Sequence, residues 1–180
     1  MDQNAKSPSG TSRMLHIPFE SLSTPEVAEA IRQAEAIWES DPDDGVARLR
    51  SLAERNPQQA DFWGALGGAY DSSGMPDRAI PCYERALGLS AKVPWRRYVC
   101  LQLSSSYRNV GRLAEAERLL TESIEQYPDF HVLSVMLSFV QHDQGQAGSA
   151  VRTLFALLTS LSPDATAPYL RAMRHYCDAL

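Results

Sequence analysis

The 180-residue chain has few residues of the kinds that build β-sheets or nucleic-acid surfaces. Ile and Val together occupy 14 positions, whereas Ala and Leu occupy 42. Because β-branched residues favour strands and Ala and Leu favour helices, this imbalance predicts an all-α fold. Two of the 17 basic residues are lysines, no basic run occurs, and the net charge is -5. A phosphate-binding surface is therefore not expected, and we predict no nucleic-acid partner.

Cysteines and long apolar runs are also scarce. Cys82, Cys100 and Cys177 are odd in number, far apart, and placed within amphipathic helical patterns. This arrangement is typical of buried thiols in a reducing compartment. The sequence has no apolar core of signal-peptide length behind Lys6 and Arg13, and no run of 18 apolar residues. We therefore predict a cytoplasmic protein that has no membrane partner.

A repeated pattern of large and small residues runs through most of the chain. The first halves of three units are Trp63, Leu66, Gly67 and Tyr70, then Cys100, Leu103, Ser104 and Tyr107, then Ser134, Leu137, Ser138 and Gln141. Their second halves keep the same register, with Gly74, Ala79 and Tyr83, then Gly111, Ala116 and Leu120, then Gly145, Ala150 and Leu154. Glycine between the halves, and proline with aspartate between the units, predict that each unit is a helix, a tight turn and a second helix.

The repeated positions are those at which antiparallel helices pack. Small residues at 67, 104 and 138, and alanines at 79, 116 and 150, allow the two helices of a unit to approach closely. The leucines at 66, 103, 120, 137 and 154 are predicted to fill the layer between neighbouring hairpins, which no single hairpin can bury alone.

The period sets the expected domain organisation. Units begin near residues 26, 60, 97 and 131, with three extra residues between Leu89 and Trp95, and the first unit is the most degenerate. Residues 1–23 are predicted to form a flexible tail with an apolar island at 14–22, and residues 24–180 to form the repeat domain. A capping helix is expected over 165–180, for about nine helices in all. Its predicted apolar face consists of Tyr169, Leu170, Met173, Tyr176 and Cys177.

The unit that contains Trp63, Leu66, Gly67, Tyr70, Gly74, Ala79, Tyr83 and Ala86 closely resembles the tetratricopeptide repeat, and the units at 97 and 131 match it more loosely. The segment from Trp95 to Gly111 also resembles a small bacterial subgroup of tetratricopeptide proteins of undefined role. This resemblance implies a right-handed superhelix of helix pairs whose concave face binds proteins or peptides.

In this fold, the concave face is lined mainly by the first helices of the units. The resemblance therefore implies a binding groove formed by Asp61, Asp71, Tyr98, Leu101, Arg108, Asn109, Val135, Phe139, His142 and Asp143. Arg108 is the leading contact, because its planar guanidinium can hold a carboxylate through two hydrogen bonds. The alternative is that Arg108 only pairs with Asp71 or Asp143 on adjacent helices.

The best-known binding mode of the family is a clamp of Lys, Asn and Arg that grips the carboxylate of a chaperone tail. Gly64, Gly68, Val132 and Met136 occupy the corresponding positions here, which disfavours that mode. The two glycines indicate either a close approach by a partner element or tolerated drift.

Two segments of the chain could themselves occupy the groove. The island at 14–22 either binds in the groove as a built-in ligand or packs outside the first helix pair. The C-terminal helix either lies against Val135 and Phe139 or continues the stack.

No catalytic or metal-binding arrangement stands out in the sequence. His131 and His142 share one helix face but are about 16 Å apart along it, too far to bind one metal ion. His16 lies in the tail, and His175 and Cys177 point to different faces of one helix. We predict no enzyme activity, no metal and no cofactor.

The predicted function is that of a non-catalytic scaffold that binds a protein or peptide in the concave groove. One alternative is a self-assembling structural protein, in which apolar ends of the stack join copies of the chain into a homo-oligomer. The other is a small chaperone of the secretion type, which holds an apolar segment of its client.

Overall fold

The computed structural model describes residues 18–89 and 95–180, and the regular elements in this part of the chain are helices. Eight helices of 12 to 16 residues follow one another. They are α1 (Pro25–Ser40), α2 (Pro42–Arg55), α3 (Ala60–Ser72), α4 (Pro76–Leu89), α5 (Trp95–Asn109), α6 (Leu113–Gln126), α7 (Val132–Asp143) and α8 (Ala147–Leu161). Two shorter helices, α9 (Pro163–Thr166) and α10 (Leu170–Asp178), complete the chain. The predicted all-α stack of helix pairs is confirmed.

The helices divide into two compact units, with the boundary between Ser106 and Tyr107, inside α5. In the first unit α1 packs against α2, α2 against α3, and α3 against α4. In the second unit α6 packs against α7, α7 against α8, and α10 against part of α8. The second helix α2 is thus placed between its own partner, α1, and the next first helix, α3, as the repeat pattern predicts.

The helix ends follow local sequence signals. Thr24 caps α1 by accepting a hydrogen bond from the backbone N–H of Val27 at 3.3 Å. Asp41 caps α2 by accepting hydrogen bonds from the N–H groups of Asp43 and Asp44, both at 3.1 Å. Proline stands at the first position of each helix, where its missing N–H costs nothing.

Three hairpins turn at a glycine in the left-handed conformation. Gly74, Gly111 and Gly145 have φ angles of 72°, 77° and 77°. At each turn the residue after the glycine donates its N–H to a carbonyl five residues back, as Met75 does to Tyr70 at 2.9 Å. This is the hydrogen-bond pattern of a Schellman cap, which favours glycine because a Cβ is strained at positive φ.

The close helix approaches occur where the pattern places small residues. A Cβ on Gly67 would lie 2.7 Å from the ring of Tyr83, and a Cβ on Gly64 would lie 2.7 Å from the ring of Trp95. The close approach to Gly64 is therefore made by a residue of this chain, Trp95 of α5. The fully buried core side chains at these interfaces include Ile31, Leu49, Tyr83, Val99, Leu120 and Leu133.

The capping helix is shorter than the predicted 165–180, and its predicted apolar face is only partly buried. Residues 167–169 form a 3-10 turn and α10 begins only at Leu170. Pro168 explains this break, because it has no N–H to donate to a carbonyl of the preceding turn. Tyr169 and Tyr176 are exposed, and of the predicted face only Cys177 is buried.

The shorter cap changes the environment of a predicted core residue. Leu66, Leu103, Leu120 and Leu137 are buried, but Leu154 is 42% exposed. The predicted tail up to residue 17, with His16, and the inserted connection at 90–94 lie outside the described residues.

Candidate functional site

The residues predicted to line the groove are divided between the two units. Asp61, Asp71, Tyr98 and Leu101 belong to the first, and Arg108, Asn109, Val135, Phe139, His142 and Asp143 belong to the second. Each group is described within its own unit.

Asp61, in the first turn of α3, is 5% exposed and is held by neighbouring residues. Its Oδ1 accepts the backbone N–H of Ser23 at 3.3 Å, and its Oδ2 accepts a hydrogen bond from Gln59 Nε2. Gln59 Nε2 also donates to Ser23 Oγ at 2.6 Å. Asp61 therefore holds the segment before α1 in place and is not available to a partner, which corrects the prediction for this residue.

The described part of the apolar island lies beside α1. The ring of Phe19 is 4.6 Å from the guanidinium of Arg32, which is within cation–π range. Together with the hydrogen bonds of Ser23, this contact places residues 18–23 against α1 and the start of α3. It favours the interpretation of this part of the island as a cap.

The other three predicted residues of the first unit are half-buried. Asp71 accepts a hydrogen bond from Ser106, yet burial raises the pKa of its carboxyl group above the usual value. Arg97 lies over the ring of Tyr98 at 5.2 Å and also donates to its hydroxyl at 3.4 Å. Leu101 adds an apolar side chain on the same helix, α5.

In the second unit, the end of α5 and the helix α7 bring four of the predicted residues together. Arg108 Nε donates to Asp143 Oδ2 at 2.6 Å, and the Arg108 guanidinium lies 5.7 Å from the ring of Phe139. His142 Nδ1 is 3.5 Å from Asp143 Oδ1. The hydrogen bond from Arg108 lowers the pKa of Asp143 below its usual value, so that the carboxylate is charged at neutral pH.

Arg108 retains unused hydrogen-bonding capacity. Its two Nη groups have no acceptor among the residues that the structure describes, and a third of its side chain is exposed. The guanidinium presents five N–H donors in a planar fork, so a carboxylate from another molecule can bind beside Asp143. The pairing with Asp143 was predicted as the alternative role of Arg108. In the structure this pairing also fixes the orientation of the Arg108 guanidinium.

Next to this ion pair, α7 presents an apolar stripe. Phe139 is 48% exposed and Val132 is 39% exposed, with half-buried Val135 between them. The spacing of three and four residues places them on one face of the helix. We refer to Val132, Val135 and Phe139, together with Arg108 and Asp143, as the α7 surface. It can bind an apolar side chain and a charged group side by side.

A second exposed apolar surface was missed by the sequence analysis. Val151, Leu154, Leu158 and Leu161 of α8 are all between 42% and 53% exposed. Three of them, Val151, Leu154 and Leu158, line a groove of about 350 Å³ with Phe155 and with Met173, Tyr176 and Cys177 of α10. The only signal in the sequence was Pro168, which breaks the helix that was expected to cover them.

The C-terminal helix packs against the beginning of α8. Arg152 Nη1 donates to the carbonyl oxygen of Cys177 at 3.3 Å, and a Cβ on Gly148 would lie 2.8 Å from the carbonyl oxygen of Leu180. These contacts place α10 along the first turns of α8.

Catalytic groups do not converge in the described part of the chain. No cluster of His, Cys, Asp and Glu suited to a metal ion occurs among the residues at 18–89 and 95–180. The three cysteines are buried, and burial raises the pKa of the Cys82 thiol to about 11, which makes it a poor nucleophile. No described helix is long and apolar enough to cross a membrane.

Comparison with known proteins agrees with this architecture. A family model described as the tetratrico peptide repeat matches residues 58–180. Three solved structures of MamA have the same fold, at TM-scores of 0.66, 0.63 and 0.64 and sequence identities of 18%, 18% and 16%. The first match covers 79% of this chain and 76% of the MamA chain. The match to MamA MSR-1 covers 82% of this chain and 85% of the MamA chain. The match to a MamA mutant covers 86% of this chain and 83% of the mutant chain. No curated protein sequence matches significantly.

Proposed function

Because the chain belongs to the tetratricopeptide repeat family, we propose that it is a non-catalytic scaffold that binds a protein or peptide through the inner faces of its first helices. The observation that carries this proposal is the α7 surface. There Phe139 and Val132 are exposed next to a guanidinium whose Nη groups have no acceptor among the described residues.

The chemistry of the α7 surface defines the ligand that fits it. An exposed apolar stripe gains free energy when an apolar side chain covers it, at about 25 cal/mol for each Å² of apolar surface removed from water. Arg108 adds specificity, because it can bind a carboxylate on the ligand through its two Nη groups. The proposed ligand is a segment that carries an apolar residue and an acidic group close together.

The other residues of the predicted groove remain proposed contacts, each within its own unit. In the second unit these are Asn109 and His142, which lie at helix ends. In the first unit they are Asp71, Tyr98 and Leu101, which stay in the proposal as half-buried contacts. Asp61 is left out, because its carboxylate holds Ser23 and Gln59.

The partner is proposed to be a protein, since the net charge of -5 opposes binding to nucleic acid or to an anionic membrane. A cytoplasmic location is consistent with Cys82, Cys100 and Cys177 being buried as thiols. No metal or cofactor takes part in the proposed binding.

A comparison of two double variants tests the proposal. Arg108→Glu with Phe139→Glu reverses the charge and removes the apolar ring of the α7 surface. Arg118→Glu with Thr121→Glu introduces the same charges on the exposed side of α6, where Arg118 pairs with Glu122 as Arg108 pairs with Asp143. Both variants should keep the helical circular dichroism of the native chain.

The measurement is affinity capture from the native host, with partners identified by mass spectrometry and then measured by calorimetry as purified proteins. A partner that binds the native chain and the α6 variant but loses affinity for the α7 variant supports the proposal. Equal affinity for all three chains would remove the α7 surface from the site. Association of the chain with itself alone, seen by sedimentation, would favour a homo-oligomer instead.

A further inference from the structure

The stripe of exposed apolar residues on α8 lies at positions that are covered in the preceding repeat. A shift of 34 residues relates Leu120, Ile124 and Tyr127 of the α6 hairpin to Leu154, Leu158 and Leu161 of α8. Leu120 and Tyr127 are buried and Ile124 is half-buried, in a helix against which α7 packs. The three α8 residues are each more than 40% exposed.

The difference arises because no full-length helix covers α8 among the described residues. The helix α7, which covers α6, has 12 residues, whereas α10 has nine and contacts α8 near its first turns, at Arg152 and Gly148. The uncovered stripe, from Val151 to Leu161, is about 15 Å long at 1.5 Å per residue. This length matches two to three turns of an α-helix.

We propose that one amphipathic helix of a partner protein, with acidic residues beside its apolar stripe, binds this α8 face in the position of the first helix of a following repeat. The apolar side of the ligand would cover Leu154, Leu158 and Leu161, and its edge would contact Met173 and Tyr176. A helix fits because the face is the groove-and-ridge surface of a helix that the stack is built to cover.

The charges near the α8 face provide a second source of specificity for its ligand. The sequence of α8 contains one charged residue, Arg152, and in α10 Arg171 and the exposed Arg174 outnumber the one acidic residue, Asp178. Residues 147–180 contain three arginines and two aspartates, in a chain whose net charge is -5. Acidic residues on the ligand are therefore attracted to this face, and basic ones are repelled.

The same charges disfavour a symmetric pair of two copies. Such a pair would bring together two regions with the same excess of arginine over aspartate, so their charges would not complement each other. A separate acidic helix meets both requirements, the apolar cover and the opposite charge.

The test uses a designed peptide of about 18 residues, with leucines every three to four positions and glutamates on both sides of the stripe. A second peptide has lysine in place of each glutamate. Fluorescence anisotropy measures binding to the full chain, and circular dichroism measures the helicity that the peptide gains. We expect the acidic peptide to bind as a helix and at least about 10-fold more tightly than the basic one, a difference of about 1.4 kcal/mol.

Variants locate the peptide on the chain. Leu158→Glu should weaken the binding of the acidic peptide at least about 10-fold, whereas Ala156→Glu, on the same helix but off the stripe, should leave it unchanged. Arg174→Glu should reduce the preference for the acidic peptide. Phe139→Glu should weaken the binding of the acidic peptide much less than Leu158→Glu does. This comparison separates the α8 face from the α7 surface, whose proposed ligand also combines an apolar residue with an acidic group.

Several results would overturn the proposal. These are no binding at millimolar peptide, equal affinity for the acidic and basic peptides, or a loss of binding in Phe139→Glu but not in Leu158→Glu. A dimer of the native chain that Leu158→Glu dissociates, seen by sedimentation equilibrium, would show that the occupant is a second copy. Binding to anionic phospholipid vesicles that Leu158→Glu abolishes would show that it is a membrane surface.

Discussion

The hairpins α3–α4 and α7–α8 are built on the same pattern, 71 residues apart, but they differ in how much of the first helix is buried. In α3, ten of the 13 residues are buried, whereas in α7 four of the 12 are buried. The glycine and tyrosine that meet in the first hairpin, Gly67 and Tyr83, are replaced by Ser138 and Leu154 in the second. The first helix of one hairpin is therefore mainly core, whereas that of the other keeps an exposed face.

The largest expected difference in unfolding free energy is between alanine variants of Tyr83 and Leu154, which occupy the same position of the repeat pattern. Tyr83 is fully buried, so Tyr83→Ala should lower the free energy of unfolding by about 3–5 kcal/mol, because it leaves a cavity against Gly67. Leu154→Ala should cost less than about 1.5 kcal/mol, since the side chain is 42% exposed. Urea denaturation of the two variants measures both values.

Tyr83→Phe serves as the control for the ring alone. The Tyr83 hydroxyl is buried and has no hydrogen-bond partner among the described residues, so its removal should not destabilise the chain. Equal losses for Tyr83→Ala and Leu154→Ala would contradict the burial difference between the hairpins.

A smaller effect is expected where the helices of each hairpin meet. In Gly67→Ala the new Cβ would lie 2.7 Å from the Tyr83 ring, and overpacking costs about 1–3 kcal/mol. The better helix propensity of alanine offsets about 1 kcal/mol of this, for a net loss of about 1 kcal/mol. Ser138→Ala introduces no overpacking, because the Cβ is already present, but it removes a buried hydroxyl that donates to the Val135 carbonyl at 2.7 Å. The loss of this hydrogen bond, about 1 kcal/mol, is partly offset by the better helix propensity of alanine, for a net loss of about 0.5 kcal/mol. Thermal unfolding compares the two variants, and a stabilised Gly67→Ala would show that Tyr83 moves away freely.

The smallest effect concerns two aspartates, whose pKa values are shifted in opposite directions. Burial raises the pKa of Asp71, so the folded chain loses stability as pH rises through that pKa, and Asp71→Asn should be at least as stable as the native chain at pH 7. Arg108 lowers the pKa of Asp143, so its contribution is present above about 3.8 and is lost as pH falls, and Asp143→Asn should be less stable at pH 7.

Urea titrations between pH 3 and pH 7 should show both differences shrinking toward low pH, where the two carboxyl groups become protonated. Differences of the same sign for the two variants would contradict the assigned environments.

The sequence was sufficient for features that depend on residues close together in the chain or repeated along it. The turn at Gly74 and the packing of small residues at 67 and 79 follow from period and residue size, and the structure contains both. The pairing of Arg108 with an aspartate on an adjacent helix, Asp71 or Asp143, was predicted as an alternative to ligand binding. The structure contains the pair with Asp143.

The features that were missed depend on distant residues. Asp61 is buried because its carboxylate binds Ser23, 38 residues earlier, and no periodic pattern encodes that contact. Leu154 occupies a core position of the repeat, but its burial depends on a following helix, which Pro168 shortens. The pattern states which face of a helix is apolar, and the neighbouring element decides whether that face is core or surface.

The left-handed glycines at 74, 111 and 145 have a consequence for how such a chain can evolve. Each turn is closed by backbone hydrogen bonds and by one residue without a side chain, so the neighbouring residues contribute little to its geometry. Exposed helix positions can therefore exchange charge, size and polarity over generations while the hinge angle is inherited unchanged. Related proteins can therefore evolve to bind new ligands by substitutions on exposed helix surfaces such as that of α7, while the fold stays the same.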